Sequence, residues 1–268
     1  PKKNNGYIKY DYLCATTLVY FFLDLLSKKI KSKMIISDFL IYVLLATICD
    51  VMPLRKLNRL IAIVALKNFK INKNLAFKEL FDLLNKKSKL TIEDLGYIIG
   101  PILNAGGRLG KSAFASELLS SNNQNIVNLK SQELIKLNNK RKKIEKLTLD
   151  EINFEKIDKE NEDIIVYYNP SINEGLIGII AARLKDYFYK PAVVITSSAK
   201  TLKGSARSVH NYNVGRAIKN LSDKEIISSG GGHNMAAGFT LEKNKLSKFK
   251  DTILKDFSNS MTIKNDVF

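Results

Sequence analysis

The chain has 268 residues, of which 45% are hydrophobic and 26% are charged, so it can bury one large core or two modest ones. Its apolar runs are too short or too interrupted by polar residues to cross a bilayer, and no leader segment is recognisable, so a cytoplasmic, membrane-free protein is expected. The net charge of +17 favours a polyanionic partner such as nucleic acid, although the predominance of lysine over arginine is also what an AT-rich coding bias gives.

The first 120 residues are predicted to be mostly helical. Apolar residues recur at helical spacing in residues 10–27, 38–49, 54–68 and 113–119, and breaks are expected at Pro53, at residues 100–101 and at residues 106–107. Thr91 and Asp94 have the spacing of a capping box. Residues 122–159 contain neither Gly nor Pro and carry apolar residues at helical spacing, which predicts one long connecting helix.

The hydrophobic period changes after this segment. Residues 164–168 and 192–195 are predicted strands, and an amphipathic helix over residues 176–188 lies between them, which is a β-α-β pattern. Shorter strands are expected near residues 202–206, 226–228 and 238–241, with helices at 214–221 and 246–257. The sequence therefore predicts an α/β protein whose helical first part is joined to a smaller α/β part by a long helix.

Three glycine-rich segments contain the candidate chemistry. Residues 100–110 (GPILNAGGRLG) and 203–208 (KGSARS) each combine glycine with a guanidinium, and residues 230–238 (GGGHNMAAG) place His233 just after three glycines. We interpret these segments as loops in which backbone N–H groups and the cations Arg108 and Arg207 approach a phosphate. Taken singly, such a glycine-rich turn is more often structural.

Asp50 ends an apolar run. By spacing alone, the helix C-cap or an ion pair with Arg55 or Arg59 explains this carboxylate best, because an unpaired buried charge is costly.

Five segments occur in one order over nearly the whole chain and together resemble the RecJ branch of the DHH phosphoesterases. They are residues 48–54 with Asn58 and Arg59, residues 100–110, residues 174–184 (EGLIGIIAARL), residues 203–208 and residues 230–238. The resemblance implies the C-terminal part of a DHH domain in residues 1–121, a connecting helix in 122–160 and a DHH-associated substrate-binding domain in 161–268.

The same resemblance implies a function. Enzymes of this family hydrolyse phosphodiesters of single-stranded DNA from the 5′ end with two Mn²⁺ or Mg²⁺ ions, in DNA repair and recombination, and a single-strand-binding protein or a helicase is an expected partner. The resemblance makes Asp50 a metal ligand and a catalytic residue together with Asn104 and Arg108. The resemblance also implies a set of residues that contact the substrate. They are Asn173, Lys203, Ser205, Arg207, Ser208, Gly231, Gly232 and His233.

The chain departs from the family pattern at several places. The Asp-x-Asp and Asp-His-His segments that hold most of the metal are not among these residues, a Trp-His pair is replaced by Ile172 and Asn173, and one glycine of the KGSGRS pattern is Ala206. The missing metal ligands predict a chain that binds substrate better than it cuts it. Asn173 can donate a hydrogen bond but carries no charge, which predicts one weaker phosphate contact. Two alternatives remain open, namely a DHH-type oligoribonuclease or nucleotide phosphatase, and a catalytically inactive nucleic-acid-binding protein of the same fold.

Overall fold

The computed structural model describes residues 10–160 and 162–265, and the chain divides into two compact units after Asn138. None of the helices within these described ranges is both long enough and apolar enough to span a bilayer. The two units are described separately below.

The N-terminal unit is built from helices. They are α1 (Ala15–Lys29), α2 (Leu40–Cys49), α3 (Lys56–Asn68), α4 (Leu75–Leu83), α5 (Gly100–Arg108), α6 (Phe114–Ser120) and the first half of α7 (Gln124–Asp150). Short 3₁₀ turns cover Ile36–Phe39 and Ile71–Lys73, and a π-helical segment covers Asp94–Ile99. Fully buried residues such as Leu44, Phe77, Leu80, Leu95 and Leu118 form the core of this unit.

The glycine-rich segment at residues 100–110 was predicted to be a loop, and this prediction is wrong. Residues 100–108 are the helix α5, because Ile102 and Leu103 are buried in the core and Pro101 occupies the first turn, where its missing N–H costs nothing. Burial of one face overrides the poor helix propensity of glycine. The helix ends before Gly110, whose φ of +80° is a conformation that glycine adopts without strain.

The capping box predicted at Thr91 and Asp94 is confirmed. The backbone N–H of Asp94 donates to Thr91 Oγ1 at 3.2 Å, and the backbone N–H of Thr91 donates to Asp94 Oδ2 at 2.9 Å. The buried Asp94 carboxylate also pairs with the Lys86 ammonium. Burial raises the pKa of Asp94, but hydrogen bonds from Lys86 and Thr91 outweigh this effect and hold the pKa below its ordinary value.

The connecting segment is two helices rather than the one predicted. α7 ends at Asp150, and α8 (Phe154–Glu160) follows after three residues. Asn153 starts the second helix, because its side-chain oxygen accepts the N–H of Lys156 at 2.8 Å. Ile152 between the helices is buried in the core of the C-terminal unit, which turns the chain at this point.

The C-terminal unit is an α/β structure, as predicted. It contains the strands β1 (Ile165–Tyr168), β2 (Ala192–Ser198), β3 (Thr201–Arg207), β4 (Ser229–His233) and β5 (Ala236–Leu241), and the helices α9 (Ile177–Phe188), α10 (Val214–Asp223) and α11 (Leu246–Asn265). Strands β1 and β2 are parallel and are joined by α9, which confirms the β-α-β unit. The sheet order is β1-β2-β3-β5-β4, and the other three pairings are antiparallel.

The two faces of this sheet pack against different helices. Val193 and Ile195 of β2 and Ala206 of β3 belong to a core with α10 and α11, and we call this side the inner face. Val194 of β2 faces α9 on the other side, which we call the outer face. The strand predicted at residues 226–228 begins later, at Ser229, because Ile226 and Ile227 are buried in the inner core ahead of it.

The ion pair of Asp94 makes the stability of the protein depend on pH in a defined way. We expect Asp94→Asn to lower the free energy of unfolding by about 1.5–3 kcal/mol at neutral pH, the range for a hydrogen bond to a charged group. Because the folded pKa of Asp94 is depressed, this contribution is present above the ordinary carboxyl pKa of about 4 and is lost as the pH falls through the lower folded value. Denaturant unfolding between pH 7 and pH 3 measures the difference between the two proteins.

The exposed Asp82 on α4 provides the matched control, since Asp82→Asn removes a carboxylate that no described ion pair uses. A constant difference between wild type and Asp94→Asn over the whole pH range would contradict the assigned ion pair.

Candidate nucleic-acid interface

The outer face of β3, β5 and β4 presents three rows of residues. Cross-strand pairing places Ser205 beside Gly238 and Gly238 beside Gly231, so the middle row contains two residues without side chains. Both glycines are exposed, and a Cβ at Gly231 would meet no other atom within 4 Å. The middle row is therefore an open floor at which a ligand can approach the backbone.

Polar and cationic side chains flank this floor. The row on one side contains Arg207, Ala236 and His233, and the row on the other side contains Lys203, Thr240 and Ser229. Alternation along a strand puts residues two apart on the same face, so Lys203, Ser205 and Arg207 all point outward. The sheet thus brings together five of the residues predicted to contact substrate. They are Lys203, Ser205, Arg207, Gly231 and His233.

Helix α9 covers β2 and β3 and begins beside Arg207. An added Cβ at Gly178 in its first turn would lie 2.8 Å from Arg207 Nη2 and 3.1 Å from Ser205 Oγ, so glycine is what allows the helix to come this close. Arg207 is half-buried, and its Nη1 donates to Ser205 Oγ at 3.1 Å and to the carbonyl oxygen of Ala206 at 2.8 Å. These contacts hold the guanidinium in place at the edge of the floor.

His233 lies at the end of β4, at the start of the two-residue turn into β5. Its side chain is exposed, and its Nδ1 accepts the backbone N–H of Met235 at 3.3 Å. Because Nδ1 is an acceptor, the neutral imidazole carries its proton on Nε2, which can donate to an anion. The backbone of His233 packs against Gly215 of α10, where a Cβ would lie 2.8 Å from the His233 carbonyl oxygen.

Lys203 has an acidic neighbour that the sequence did not suggest. Its Nζ lies 3.3 Å from Glu174 Oε2, and Ser198 Oγ donates to the same oxygen at 2.8 Å. The hydrogen bonds from Ser198 and Lys203 keep the pKa of Glu174 below its ordinary value. A phosphate at Lys203 would therefore compete with a carboxylate.

Three of the predicted substrate contacts have structural roles. Ser208 is buried and its hydroxyl donates to the Tyr212 carbonyl oxygen at 2.7 Å, so it faces away from the floor. Asn173 is exposed, but its side-chain oxygen accepts the Gly175 N–H at 2.9 Å in the turn that precedes α9. Gly232 pairs with Ala237 on the inner face, where a Cβ would overlap backbone atoms of β5. Ser208 and Gly232 thus face away from the floor, and the substrate contact of Asn173 stays a prediction.

The remaining candidates lie in the N-terminal unit. Asp50 is exposed and caps the C terminus of α2 with its backbone N–H, as its spacing suggests, while Arg55 pairs with Asp11 instead, at 3.5 Å. Asn104 and Arg108 are four residues apart and follow Gly100 along one side of α5. A Cβ at Gly100 would lie 2.6 Å from Cys49 Sγ, so this side of α5 begins next to the residue that precedes Asp50.

These residues do not by themselves fit a metal site. Within residues 10–160 and 162–265 there is no group of three or more His, Cys, Asp or Glu side chains that could hold a metal ion. Asp50 supplies one carboxylate, whereas Mg²⁺ and Mn²⁺ require several oxygen ligands in a near-octahedral arrangement. The metal-ligand role of Asp50 stays a prediction.

Gly178, Gly215 and Gly238 shape the site, and sequence reasoning gave them no role. Gly178 and Gly238 lie inside the quoted segments at residues 174–184 and 230–238. Their roles could have been predicted from a glycine in the first turn of a helix and from a glycine that faces outward from a strand. Gly215 lies outside every quoted segment, and its close approach to His233 depends on tertiary packing alone.

Comparison with known families identifies the C-terminal unit. Residues 161–259 match the DHHA1 domain model, which covers all five strands and helices α9 and α10. The single-stranded-DNA-specific exonuclease RecJ of Salmonella typhimurium is 32% identical over 225 residues, which is 80% of this chain and 39% of the relative. The chain thus spans about two fifths of the length of this curated relative.

Solved structures show the same fold. RecJ from Thermus thermophilus in complex with Mg²⁺ matches 83% of this chain and 35% of its own length, with a TM-score of 0.72 and 23% identity. The complex of the same enzyme with Mn²⁺ matches 83% and 33%, with a TM-score of 0.73 and 23% identity. Both units of this chain therefore contribute to a fold already seen in that exonuclease.

The inner and outer faces of the sheet should respond differently to an added methyl group. Gly204 lies on the inner face, and a Cβ there would overlap the Phe239 ring, whereas a Cβ at Gly231 on the outer face meets open space. We expect Gly204→Ala to lower the free energy of unfolding by about 1–3 kcal/mol through overpacking. Gly231→Ala should change it by no more than about 0.5 kcal/mol. Thermal and denaturant unfolding of the two variants measure this contrast, and equal losses would mean that the two faces are assigned wrongly.

Proposed function

We propose that this chain, a relative of the RecJ exonucleases in which residues 161–259 form a DHHA1 domain, is the substrate-binding part of a metal-dependent 5′-3′ exonuclease that acts on single-stranded DNA. The observation that carries this proposal is the outer face of β3, β5 and β4. There the glycine floor lies between a row with Arg207 and His233 and a row with Lys203 and two hydroxyl residues.

The chemistry of this face suits a phosphodiester backbone. A guanidinium offers paired N–H donors to two phosphate oxygens, and exposed backbone next to glycine can be approached more closely than backbone covered by side chains. The hydroxyls of Ser205, Thr240 and Ser229 add neutral donors, and His233 Nε2 adds another. Such contacts position a strand and read no base sequence, which agrees with an enzyme that digests DNA of any sequence.

The net charge of +17 supports the same substrate class. Every lysine or arginine that neutralises a phosphate releases a counterion, so binding should weaken steeply as the salt concentration rises. The role in DNA repair and recombination, and a protein partner such as a single-strand-binding protein or a helicase, stay predictions that the sequence resemblance supports.

In the proposed function, the metal ions would take part in hydrolysis of the phosphodiester, and the outer face of the sheet would bind the substrate. The two Thermus structures hold Mg²⁺ and Mn²⁺, and a pair of such ions supplies a hydroxide nucleophile and stabilises charge on the leaving oxygen. Residues 10–160 and 162–265 do not complete a metal site, so the part of this chain in the proposed function is to hold the phosphate chain at Arg207, Ser205 and His233. The same finding favours a second candidate function for the isolated chain, namely binding of single-stranded DNA without cleavage.

Arg207→Lys separates a phosphate contact from a surface charge. Lysine keeps the charge but loses the planar pair of donors, so the affinity for a short 5′-phosphorylated single-stranded oligonucleotide should fall by about ten- to a hundredfold, or about 1.5–3 kcal/mol. Fluorescence anisotropy across a salt series gives the affinity, and circular dichroism reports folding. Arg216→Lys, at an exposed position of α10 outside every quoted segment, is the matched control and should have no effect.

A second variant, in helix α9, displaces the same guanidinium without changing Arg207 itself. Gly178→Ala places a methyl group 2.8 Å from Arg207 Nη2, at the far end of a flexible side chain that can move at little cost. It should leave stability unchanged and weaken binding, while Gly107→Ala, where a Cβ meets no atom within 4 Å, should do neither. Unchanged affinity in both Arg207→Lys and Gly178→Ala would remove Arg207 from the site.

The purified chain should show little or no manganese-dependent nuclease activity. One candidate carboxylate cannot hold two metal ions, so digestion of a 5′-labelled oligonucleotide in the presence of Mn²⁺ should match that of the Asp50→Ala variant. Product analysis on a denaturing gel makes this comparison. Robust digestion by the wild-type chain that disappears in Asp50→Ala would show that the chain carries a complete metal site.

A further inference from the structure

Strand β1 has an edge that no other described strand covers. It is the first strand in the sheet order and pairs only with β2, to which the N–H of Ile165 belongs by donating to the Pro191 carbonyl oxygen at 2.8 Å. Successive residues of a strand direct their backbone groups to opposite edges, so Val166 and Tyr168 direct their N–H and C=O groups away from β2. Among the residues that the structure describes, these backbone groups have no hydrogen-bond partner. Such an edge can pair with one more strand.

A groove of about 350 Å³ lies at this edge, and we call it the β1 edge groove. It is lined by all four residues of β1, by α8 and by the end of α9. Ile157 of α8 and Phe188 of α9 supply apolar surface, and both are only partly buried in the outer core. Ligand sites in proteins have volumes of about 300–1,000 Å³, so the groove can take a short segment with one apolar side chain.

The chain is acidic around this groove. Residues 150–163 contain seven acidic residues and two lysines, a net charge of −5 in a chain whose net charge is +17. Lys156 and Lys190 line the groove together with Lys250, which pairs with Glu162 at 3.0 Å. Three further carboxylates line it, and no ion pair among the described residues uses them. They are Glu151, Asp158 and Glu160.

We propose that the β1 edge groove binds an extended, basic segment of a partner protein, which adds to the sheet as a further strand. The backbone of the segment bonds to the unpaired groups of β1, and an apolar side chain contacts Ile157 and Phe188. Lysine or arginine side chains of the segment face the carboxylates of Glu151 and Asp158. Because side chains alternate along a strand, a segment in which basic and apolar residues alternate satisfies both contacts.

Charge decides between this occupant and two others. A nucleic acid would bring its phosphates against an acidic segment, which like charges oppose. Two copies of this chain that pair through their β1 edges would bring two segments with a net charge of −5 together, at the same disadvantage. A partner with cations gains attraction where both of these lose it.

This proposal stands apart from the proposed function. In the sheet order β1-β2-β3-β5-β4, the groove lies at β1, whereas the glycine floor lies on β3, β5 and β4 at the other end. Loss of single-stranded DNA binding would therefore leave peptide binding measurable, and each proposal can fail separately.

A model peptide tests the proposal on the whole chain. The probe is a fluorescein-labelled heptapeptide in which lysine and valine alternate, and fluorescence anisotropy measures its affinity. We expect saturable binding, and slower hydrogen exchange of residues 164–169 in mass spectrometry, because the peptide bonds to the N–H groups of Val166 and Tyr168. A heptapeptide of alternating glutamate and valine should bind at least about tenfold more weakly.

A charge-reversed groove provides the matching protein variant. The double variant Glu151→Lys, Asp158→Lys should bind the lysine–valine peptide at least about tenfold more weakly than wild type. Both positions are exposed, so circular dichroism and the unfolding temperature should show that the variant folds. The control Asp82→Lys, Asp223→Lys makes the same change of net charge at exposed positions outside the groove and should bind like wild type.

Four results would overturn the proposal. The first is no binding of the lysine–valine peptide to the wild-type chain, and the second is equal affinity for the glutamate–valine peptide or equal loss in both double variants. The third is unchanged hydrogen exchange of residues 164–169, or displacement of the peptide by a single-stranded oligonucleotide, since either would place the peptide elsewhere. The fourth is a dimer of this chain in light scattering that the peptide dissociates, because a second copy would then be the occupant.

Discussion

The ring of Phe239 packed against the bare Cα of Gly204 fixes which face of the C-terminal sheet meets a ligand. The two residues are paired across β3 and β5, and any side chain at Gly204 would overlap the ring. Because side chains alternate along a strand, a shift of one residue would turn Ser205 and Arg207 into the inner core. This one contact therefore sets the register on which the outward direction of Arg207 and, through β5, of His233 depends. The contact between Phe239 and Gly204 is stabilised by the inner core, where the Phe239 ring stacks on Phe249 of α11 with ring centroids 4.6 Å apart.

The fold class and the β-α-β unit could be predicted from the sequence because the long helical spacing ends near residue 160 and is followed by short continuous apolar runs rich in Ile and Val. The glycine-rich segments were harder, since glycine has two uses that look alike in a sequence. It permits unusual backbone angles, and it lets two elements pack closely. Gly100, Gly178 and Gly204 serve the second use, with Cys49, Arg207 and Phe239 as their neighbours, and these neighbours are far away in the sequence. The segment at residues 100–110 is consequently mostly a helix, and the other two segments lie largely in strands β3, β4 and β5, although the order of the segments along the chain had already indicated the resemblance.

The turn that carries Asp50 shows why its role cannot be read from spacing. The backbone N–H of Met52 donates to the Thr47 carbonyl oxygen at 2.9 Å and that of Val51 to Ile48 at 3.1 Å, which is the hydrogen-bond pattern of a Schellman cap. Val51 occupies the position that glycine prefers, with φ of +52°, and a β-branched residue there costs about 1–2 kcal/mol. The side-chain amide of the buried Asn58 stabilises the same turn by donating a hydrogen bond to the Pro53 carbonyl oxygen at 3.0 Å. A helix cap and a positioned ligand are thus compatible roles for Asp50, and strain stored beside a candidate site favours a precise placement of its carboxylate.

The candidate interface draws all its residues from one unit, and this separates affinity from turnover. Lys203, Ser205, Arg207 and His233 lie after residue 139, on strands whose register is fixed within the DHHA1 domain. The ion pair with Glu174 offsets part of the charge of Lys203 on this face. In the proposed function these donors would bind and position the phosphate chain, and uniform binding of this kind raises affinity without raising the rate of the chemical step.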